Sequence, residues 1–125
     1  MSRGGIKKEI VESGAVGLGD NEFETSKITV PANSTITKGT VFKRAGEKFE
    51  PITINTETPV AVNPFDIENK GTVAADMSLR AIISGPVRAA LLTINGQPLS
   101  AAQRDALRDH ALIIPVLDHD ISRTE

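Results

Sequence analysis

The stretch from Thr40 to Ile52, TVFKRAGEKFEPI, decides the fold class. Two β-prone runs flank Ala45-Gly46-Glu47, and a glycine in so short a loop supplies the positive φ that a tight turn requires. The stretch therefore predicts a β-hairpin. Because side chains alternate between the two faces of a strand, Val41 and Phe42 are expected on opposite faces, which indicates that both faces are partly covered.

The chain around this hairpin also has the composition of strands. Val, Ile and Thr supply 23 of the 67 residues from Ile28 to Ile94, and these residues favour pleated, half-buried structure. Proline cannot donate a ladder hydrogen bond, so the strands next to Pro51, Pro59, Pro64 and Pro86 are expected to be short or bounded there. The further strand candidates are Ile28–Val30, Ile52–Asn55, Val60–Asn63, Thr72–Ala75, Leu79–Ser84 and, after an interruption at Pro86, Val87–Ile94.

One helix is well signalled near the C-terminal end. Ser100 and Gln103 have the spacing of a capping box, in which the Ser hydroxyl and the Gln side chain each bond a backbone N–H at the helix start. The spacing predicts a helix over 101–110 with an apolar stripe of Ala102, Ala106 and Leu107. The following run, 112–117, predicts a buried strand that ends near Pro115.

Glycine is unevenly distributed. Five of the ten glycines lie in the first nineteen residues, and a glycine-rich segment loses much backbone entropy on ordering while it buries few side chains. We therefore expect residues 1–25 to form a flexible N-terminal arm, residues 26–117 a single domain and residues 118–125 a polar tail. The fold class is α+β, mainly β, with short antiparallel strands and one short C-terminal helix.

Composition excludes several classes of protein. The formal net charge is −2, and there is no Cys, Trp or Tyr. Nucleic-acid binding needs clustered Lys and Arg, and disulfides and thiolate metal sites need Cys, so none of these is expected. No run has signal-peptide or membrane-span character, which predicts a soluble protein made in a reducing compartment with no membrane partner.

No motif in the chain predicts catalysis or a cofactor. His110 is expected at the helix C-terminus as a solvated residue, and the side chains of Asp118, His119 and Asp120 diverge rather than converge on a metal. The glycine run 14–19 has the reverse order of a dinucleotide fingerprint. Carboxylate pairs such as Glu47 with Glu50, or Asp66 with Glu68, are ordinary on surfaces. We therefore expect no enzyme activity, metal, cofactor or small-molecule substrate.

The order of the β segments resembles a known family. Lys38-Gly-Thr-Val-Phe-Lys-Arg followed by Gly46-Glu-Lys-Phe-Glu-Pro-Ile is similar to the "G-T-V-L … G-K-Y-x-P" hairpin of tailed-phage head decoration proteins, the family of the lambda capsid-stabilising protein. Pro59-Val-Ala-Val-Asn-Pro-Phe-Asp resembles the next strand, "A-I-L-x-x-x-V-D", and Gly85-Pro-Val-Arg-Ala-Ala-Leu-Leu resembles a later "G-x-V" strand. The helix and strand of 100–114 are similar to the family's C-terminal end, so the resemblance spans about residues 25–117.

The resemblance implies a capsid decoration, or cement, protein. Members have a small, mixed, β-tulip-like domain and bind the outer surface of an expanded capsid as trimers, in virions assembled in host cytoplasm. Their partner is the major capsid protein, and their N-terminal arm orders against it, often as an added strand. On this chain the implied capsid-binding arm residues are Ile6, Ile10 and Phe23, with Val11, Val16 and Leu18 as secondary candidates.

Two other classes stay open at this point. A small β-rich receptor- or carbohydrate-binding module of a phage tail or fibre is one alternative, but such sites commonly use exposed Tyr and Trp, which the chain lacks. A small enzyme that uses surface carboxylates is the weaker alternative, because the sequence offers no convergent nucleophile and base.

Overall fold

The computed structural model describes residues 15–54 and 56–117, which form a mainly β domain. Strands occupy the segments rich in Val, Ile, Phe and Thr, and one α-helix and one 3₁₀ turn complete the described part. The strands are β1 Glu22–Val30, β2 Ser34–Ile36, β3 Val41–Ala45, β4 Lys48–Pro51, β5 Ala61–Val62, β6 Ile67–Asn69, β7 Ala75–Arg88, β8 Thr93–Ile94, β9 Gln97–Pro98 and β10 Ile113–Val116, with the 3₁₀ turn at Ala89–Leu91 and helix α1 at Ala101–Ala111.

Five strands close into a small barrel in the order β1-β4-β3-β5-β7, with β7 paired back to β1. Strands β1 and β7 form the longest strand pairing in the described residues, which is antiparallel and extends from Glu22↔Ser84 to Val30↔Ala75. Strand β10 extends the sheet as a parallel neighbour of the last four residues of β7. Closure pairs both edges of most barrel strands, which removes the unpaired backbone groups of an open sheet.

The barrel has an apolar cluster on each face. The inner cluster takes side chains from all five barrel strands, and its Phe42 and Phe49 rings stack with centroids 5.7 Å apart. The outer cluster contains Val41 and lies under α1, which contributes Leu107 and Ala111. The predicted placement of Val41 and Phe42 on opposite, covered faces is therefore confirmed, since both side chains are fully buried.

The predicted hairpin and helix are both present. Strands β3 and β4 pair around the two-residue loop Gly46-Glu47, and Gly46 has a φ of +65°. At the start of α1, Ser100 Oγ accepts a hydrogen bond from the Gln103 N–H, and the Gln103 side chain accepts one from the Ser100 N–H. The apolar stripe differs from the prediction at Ala102, which is exposed, because α1 packs mainly through the more C-terminal Leu107 and Ala111.

The predicted interruption at Pro86 is wrong, because β7 runs through it. At this point the strand exchanges partners: pairing with β1 ends at Ser84, and pairing with β10 begins at Gly85. Pro86 lacks an N–H, but its carbonyl still accepts hydrogen bonds from the Leu18 N–H and from Asn21 Nδ2. Strand β10 ends at Val116, one residue beyond Pro115, so the predicted end near Pro115 is confirmed.

Several other strand predictions are corrected because side chains organise the backbone into turns. The Glu57 carboxylate accepts the N–H groups of Thr53 and Ile54, which makes a loop of residues 52–54, where the expected 52–55 strand would begin. The Asn69 carboxamide bonds the backbone of Gly71 and Val73, so only Ala75 of the expected 72–75 strand is in β7. The expected strand over 87–94 is divided by the 3₁₀ turn, and β1 starts earlier than predicted.

The boundary between arm and domain also differs from the expectation. The structure places residues 15–25 inside the domain, because Val16 is 1% exposed in the outer cluster and β1 begins at Glu22. Backbone hydrogen bonds from the Leu18 N–H to the Pro86 carbonyl and from the Arg88 N–H to the Val16 carbonyl fix this segment along β7. Residues 1–14 and the tail 118–125, with His119, lie outside the described residues. No helix in the described part is long and apolar enough to cross a membrane.

Candidate partner-binding surface

A groove of about 340 Å³ lies where the described chain begins. Three separate segments form it: the stretch that leads into β1, the loop after β5, and the middle of β7. Its lining residues are Ala15, Val16, Gly17, Gly19, Asp20, Asn21, Phe23, Pro64, Phe65 and Ile82. We call this feature the N-terminal groove.

Two phenylalanines stand on the rim of the N-terminal groove. Phe65 is 73% exposed and Phe23 is 40% exposed, whereas the other two phenylalanines of the chain are fully buried. The Arg80 guanidinium lies over the Phe23 ring at 4.7 Å from its centroid. Aromatic side chains exposed beside a depression are typical of sites that a partner covers, because they provide a large apolar area with little rotamer entropy to lose.

The floor of the groove is rigid. The carboxamide of Asn21 donates to the carbonyl oxygens of Ser84 at 3.2 Å and Pro86 at 2.9 Å, and it accepts the Gly19 N–H at 3.1 Å. A Cβ at Gly85, where φ is +99°, would lie 2.8 Å from Asn21 Nδ2, so glycine is required there. These contacts hold the segment before β1 against β7, so the groove is present in the free chain.

Acidic residues occur in and beside the lining of the groove. Asp20 lies in the lining, and the exposed Glu22 and Asp66 are chain neighbours of the groove residues. The Asp66 carboxylate accepts the Lys38 N–H at 2.8 Å, which fixes the loop that carries Phe65. An apolar centre with a polar rim is the usual anatomy of a protein–protein interface.

The perturbed carboxylates lie in surface ion pairs. Two hydrogen bonds from Arg44 lower the pKa of Glu24, and the same contact raises the pKa of Arg44. The hydrogen bond between Lys43 and Glu57 lowers the pKa of the Glu57 carboxyl and raises the pKa of the Lys43 ammonium. Hydrogen bonds from Lys48 and then Thr29 lower the pKa of Asp76. Each shift favours the ionised form of the carboxylate, which is the ordinary effect of a surface ion pair.

Other candidate chemistry does not converge in residues 15–54 and 56–117. No group of three or more metal-ligating side chains is present there. The carboxylates of Glu47, Glu50, Asp66 and Glu68 are on exposed residues, and His110 is exposed in the last turn of α1.

The structure brings together only part of the predicted arm. Phe23 is on the groove rim, Val16 is 1% exposed at the base of the groove and belongs to the outer cluster, and Leu18 is half-buried next to β7. Ile6, Ile10 and Val11 lie outside the described residues. Sequence reasoning missed Phe65, although a bulky apolar residue between a proline and an aspartate in a loop is a signal for an exposed aromatic.

Comparison of the chain with protein-family models and with curated proteins finds no match. The functional proposal is therefore based on the order of the sequence motifs, the fold and the N-terminal groove.

Proposed function

We propose that this protein is a capsid decoration protein that binds the outer surface of a phage head as a trimer and stabilises the expanded shell. The observation that carries the proposal is the N-terminal groove, with the exposed rings of Phe23 and Phe65, at the point where residues 1–14 join the domain. A partner that pairs with the N-terminal segment is thereby brought next to an apolar surface.

The fold supports this proposal. A mainly β domain with one short helix agrees with the architecture that the family resemblance implies, and the closed barrel offers a rigid body with few open edges. In the proposed complex, the N-terminal segment contacts the major capsid protein as an added strand. Because side chains alternate along a strand, Ile6 and Ile10 select the register from one face and Val11 lies on the opposite face.

The proposed mechanism is the burial of additional surface between neighbouring capsid subunits. Covering a Phe side chain contributes roughly 2–3 kcal/mol by area, so the two rim rings give one copy only modest affinity after the cost of association. A trimer links three such contacts, and the raised effective concentration makes its binding durable. Separating two capsid subunits would then also require breaking their interface with the bound trimer, which stabilises the shell.

Co-sedimentation with expanded, empty heads of a lambda-type phage that lack their own decoration protein tests the proposal. We expect the wild-type chain to sediment with heads at up to one copy per capsid subunit. Phe65→Ser should weaken this binding about 10-fold or more, since it removes roughly 2 kcal/mol of burial. Val73→Ser is the matched control, because Val73 is 70% exposed but does not line the groove.

Both variants change side chains that are at least 70% exposed, so both should keep the wild-type urea midpoint. The groove's role is refuted if Phe65→Ser binds as tightly as the wild type, or if Val73→Ser weakens binding equally. The proposed function itself is refuted if the wild-type chain does not sediment with any expanded head.

A further inference from the structure

The hairpin formed by β8 and β9 presents an asparagine to solvent with a glycine directly after it. Asn95 and Gly96 are the two loop residues, with φ of +55° and +77°, and both are exposed. Positive φ at both positions is the type I′ turn for which Asn-Gly is the preferred sequence. A Cβ built at Gly96 meets no heavy atom within 4 Å, so the backbone around the Gly96 nitrogen is open.

We infer that Asn95 is a site of spontaneous deamidation, a covalent modification that adds a negative charge to this hairpin. The Gly96 backbone nitrogen loses its proton and attacks Asn95 Cγ. A C–N bond forms, the bond from Cγ to Nδ2 breaks, and ammonia leaves a five-membered succinimide. Water then opens the ring at either carbonyl, which gives aspartate or isoaspartate. The net change consumes one water, releases one ammonia and needs no other reactant.

The turn must open for the nitrogen to reach Cγ, and the hairpin is built so that its tip opens easily. Strands β8 and β9 have two residues each and pair in the register Ile94↔Gln97 and Thr93↔Pro98. Outside this pairing, the base of the hairpin is held by a hydrogen bond from the Thr93 N–H to the Gly39 carbonyl. Pro98 has no N–H, so few backbone hydrogen bonds hold the tip. Exposed segments with few buried contacts are the first to open locally.

At the other described asparagines, either the carboxamide is held in hydrogen bonds or the following residue disfavours ring closure. Asn21 and Asn69 hold their carboxamides in hydrogen bonds to backbone groups. Asn63 is buried and precedes Pro64, which has no N–H to attack with. Asn33 is exposed, but it precedes Ser34, whose side chain slows ring closure relative to a following glycine.

The modification alters a second depression of the surface. Asn95 and Gly96 line a depression of about 240 Å³ together with Thr37, Thr40, Thr53 and Thr93. All of its lining side chains are uncharged, so a carboxylate at position 95 gives it a charge it otherwise lacks. Isoaspartate also lengthens the turn backbone by one carbon.

Incubation of the folded full chain in mildly alkaline buffer, followed by peptide mapping, tests the inference. We expect a gain of about 1 Da confined to the peptide that contains residues 95–96, an acidic species on ion exchange, and two product peptides, one of which co-elutes with that of Asn95→Asp. Asn95→Gly keeps a turn-compatible sequence and should give no acidic species. The inference is overturned if this peptide stays unmodified while the urea-unfolded chain converts, or if Asn33 converts as fast as Asn95.

Discussion

A double-mutant cycle between Gly17 and Asn21 tests whether the Asn21 carboxamide holds the segment before β1 against β7 and so forms the N-terminal groove. The Asn21 side chain makes three hydrogen bonds to backbone groups, each contributing about 0.5–1.5 kcal/mol net. Two of the three are only partly buried, so Asn21→Ala should lower the free energy of unfolding by about 2 kcal/mol. In the variant, the Ser84 carbonyl loses the donor that Asn21 provides.

Gly17→Ala should be destabilising for a different reason. A Cβ at Gly17 would lie 2.6 Å from Asn21 Oδ1 and 3.4 Å from Ile82 Cδ1. The first contact is a clash, so the Asn21 side chain must move and release its hydrogen bonds, at a cost of about 1–2 kcal/mol. Once Asn21 is already alanine, the clash is gone, and Gly17→Ala should be neutral or stabilising by up to about 1 kcal/mol through the unfolded chain.

The double variant should therefore be about 1–3 kcal/mol more stable than the sum of the two single effects. Urea unfolding of the four proteins, with free energies extrapolated to water at constant slope, measures this coupling. Gly46→Ala in the same two backgrounds is the control, because Gly46 has a φ of +65° and lies at the hairpin tip, away from the groove. Additivity of Gly17→Ala and Asn21→Ala within about 0.5 kcal/mol would refute the proposed contact.

Two further predictions concern stability. Leu107→Ala removes the fully buried side chain by which α1 packs on the outer cluster, and should cost about 2–5 kcal/mol in urea unfolding; a cost no larger than that of exposed Ala102→Gly would contradict this packing. The lowered pKa of Glu24 means that its pair with Arg44 stabilises the fold above the unfolded-state pKa and that this contribution is lost as the pH falls through the folded pKa. Glu24→Gln should therefore lose less stability than wild type between neutral pH and the acid range, by a small margin that salt reduces, and equal acid sensitivity of the two proteins would contradict it.

The parts of the fold that the sequence predicts well are those with local causes. The β3–β4 hairpin depends on Gly46 in a two-residue loop, and α1 depends on the reciprocal bonds of Ser100 and Gln103. Each is decided by residues within a few positions of one another. The alternation of Val41 and Phe42 was predictable for the same reason, since the period of a strand is a local property.

The parts that the sequence does not predict depend on distant partners. Strand β7 continues through Pro86 because two other segments take over its pairing there: strand β10 and the segment before β1. The first of these pairs joins Gly85 to Ile113, which is 28 residues further along the chain. The turn after β6 is organised by Asn69, whose carboxamide also bonds the Val30 carbonyl across the fold. A proline or a β-branched run carries no information about such partners.

Only one of the two rim phenylalanines of the groove was predictable from the sequence, because the two come from distant parts of the chain. Phe23 belongs to the N-terminal stretch that glycine content singled out, whereas Phe65 is about forty residues away in the chain. The register of β1 with β7 brings Phe23 opposite Ile82, and Val62 of β5 pairs with Ile82 from the other side, which carries the Pro64-Phe65 loop to the same place. Two pairings that share one residue of β7 therefore create the rim.

The displaced domain boundary determines how the proposed N-terminal contact can be isolated. A truncation at residue 24 would remove Val16 from the outer cluster and the first residues of β1 from their pairing with β7. Loss of head binding in such a variant would then follow from damage to the barrel as readily as from loss of the segment. A truncation of residues 1–14 leaves Val16, Asn21 and Phe23 in place. The truncation removes the N-terminal segment and keeps the groove, whereas Phe65→Ser changes the groove and keeps the segment. Comparing the head binding of the two variants therefore separates the two contributions.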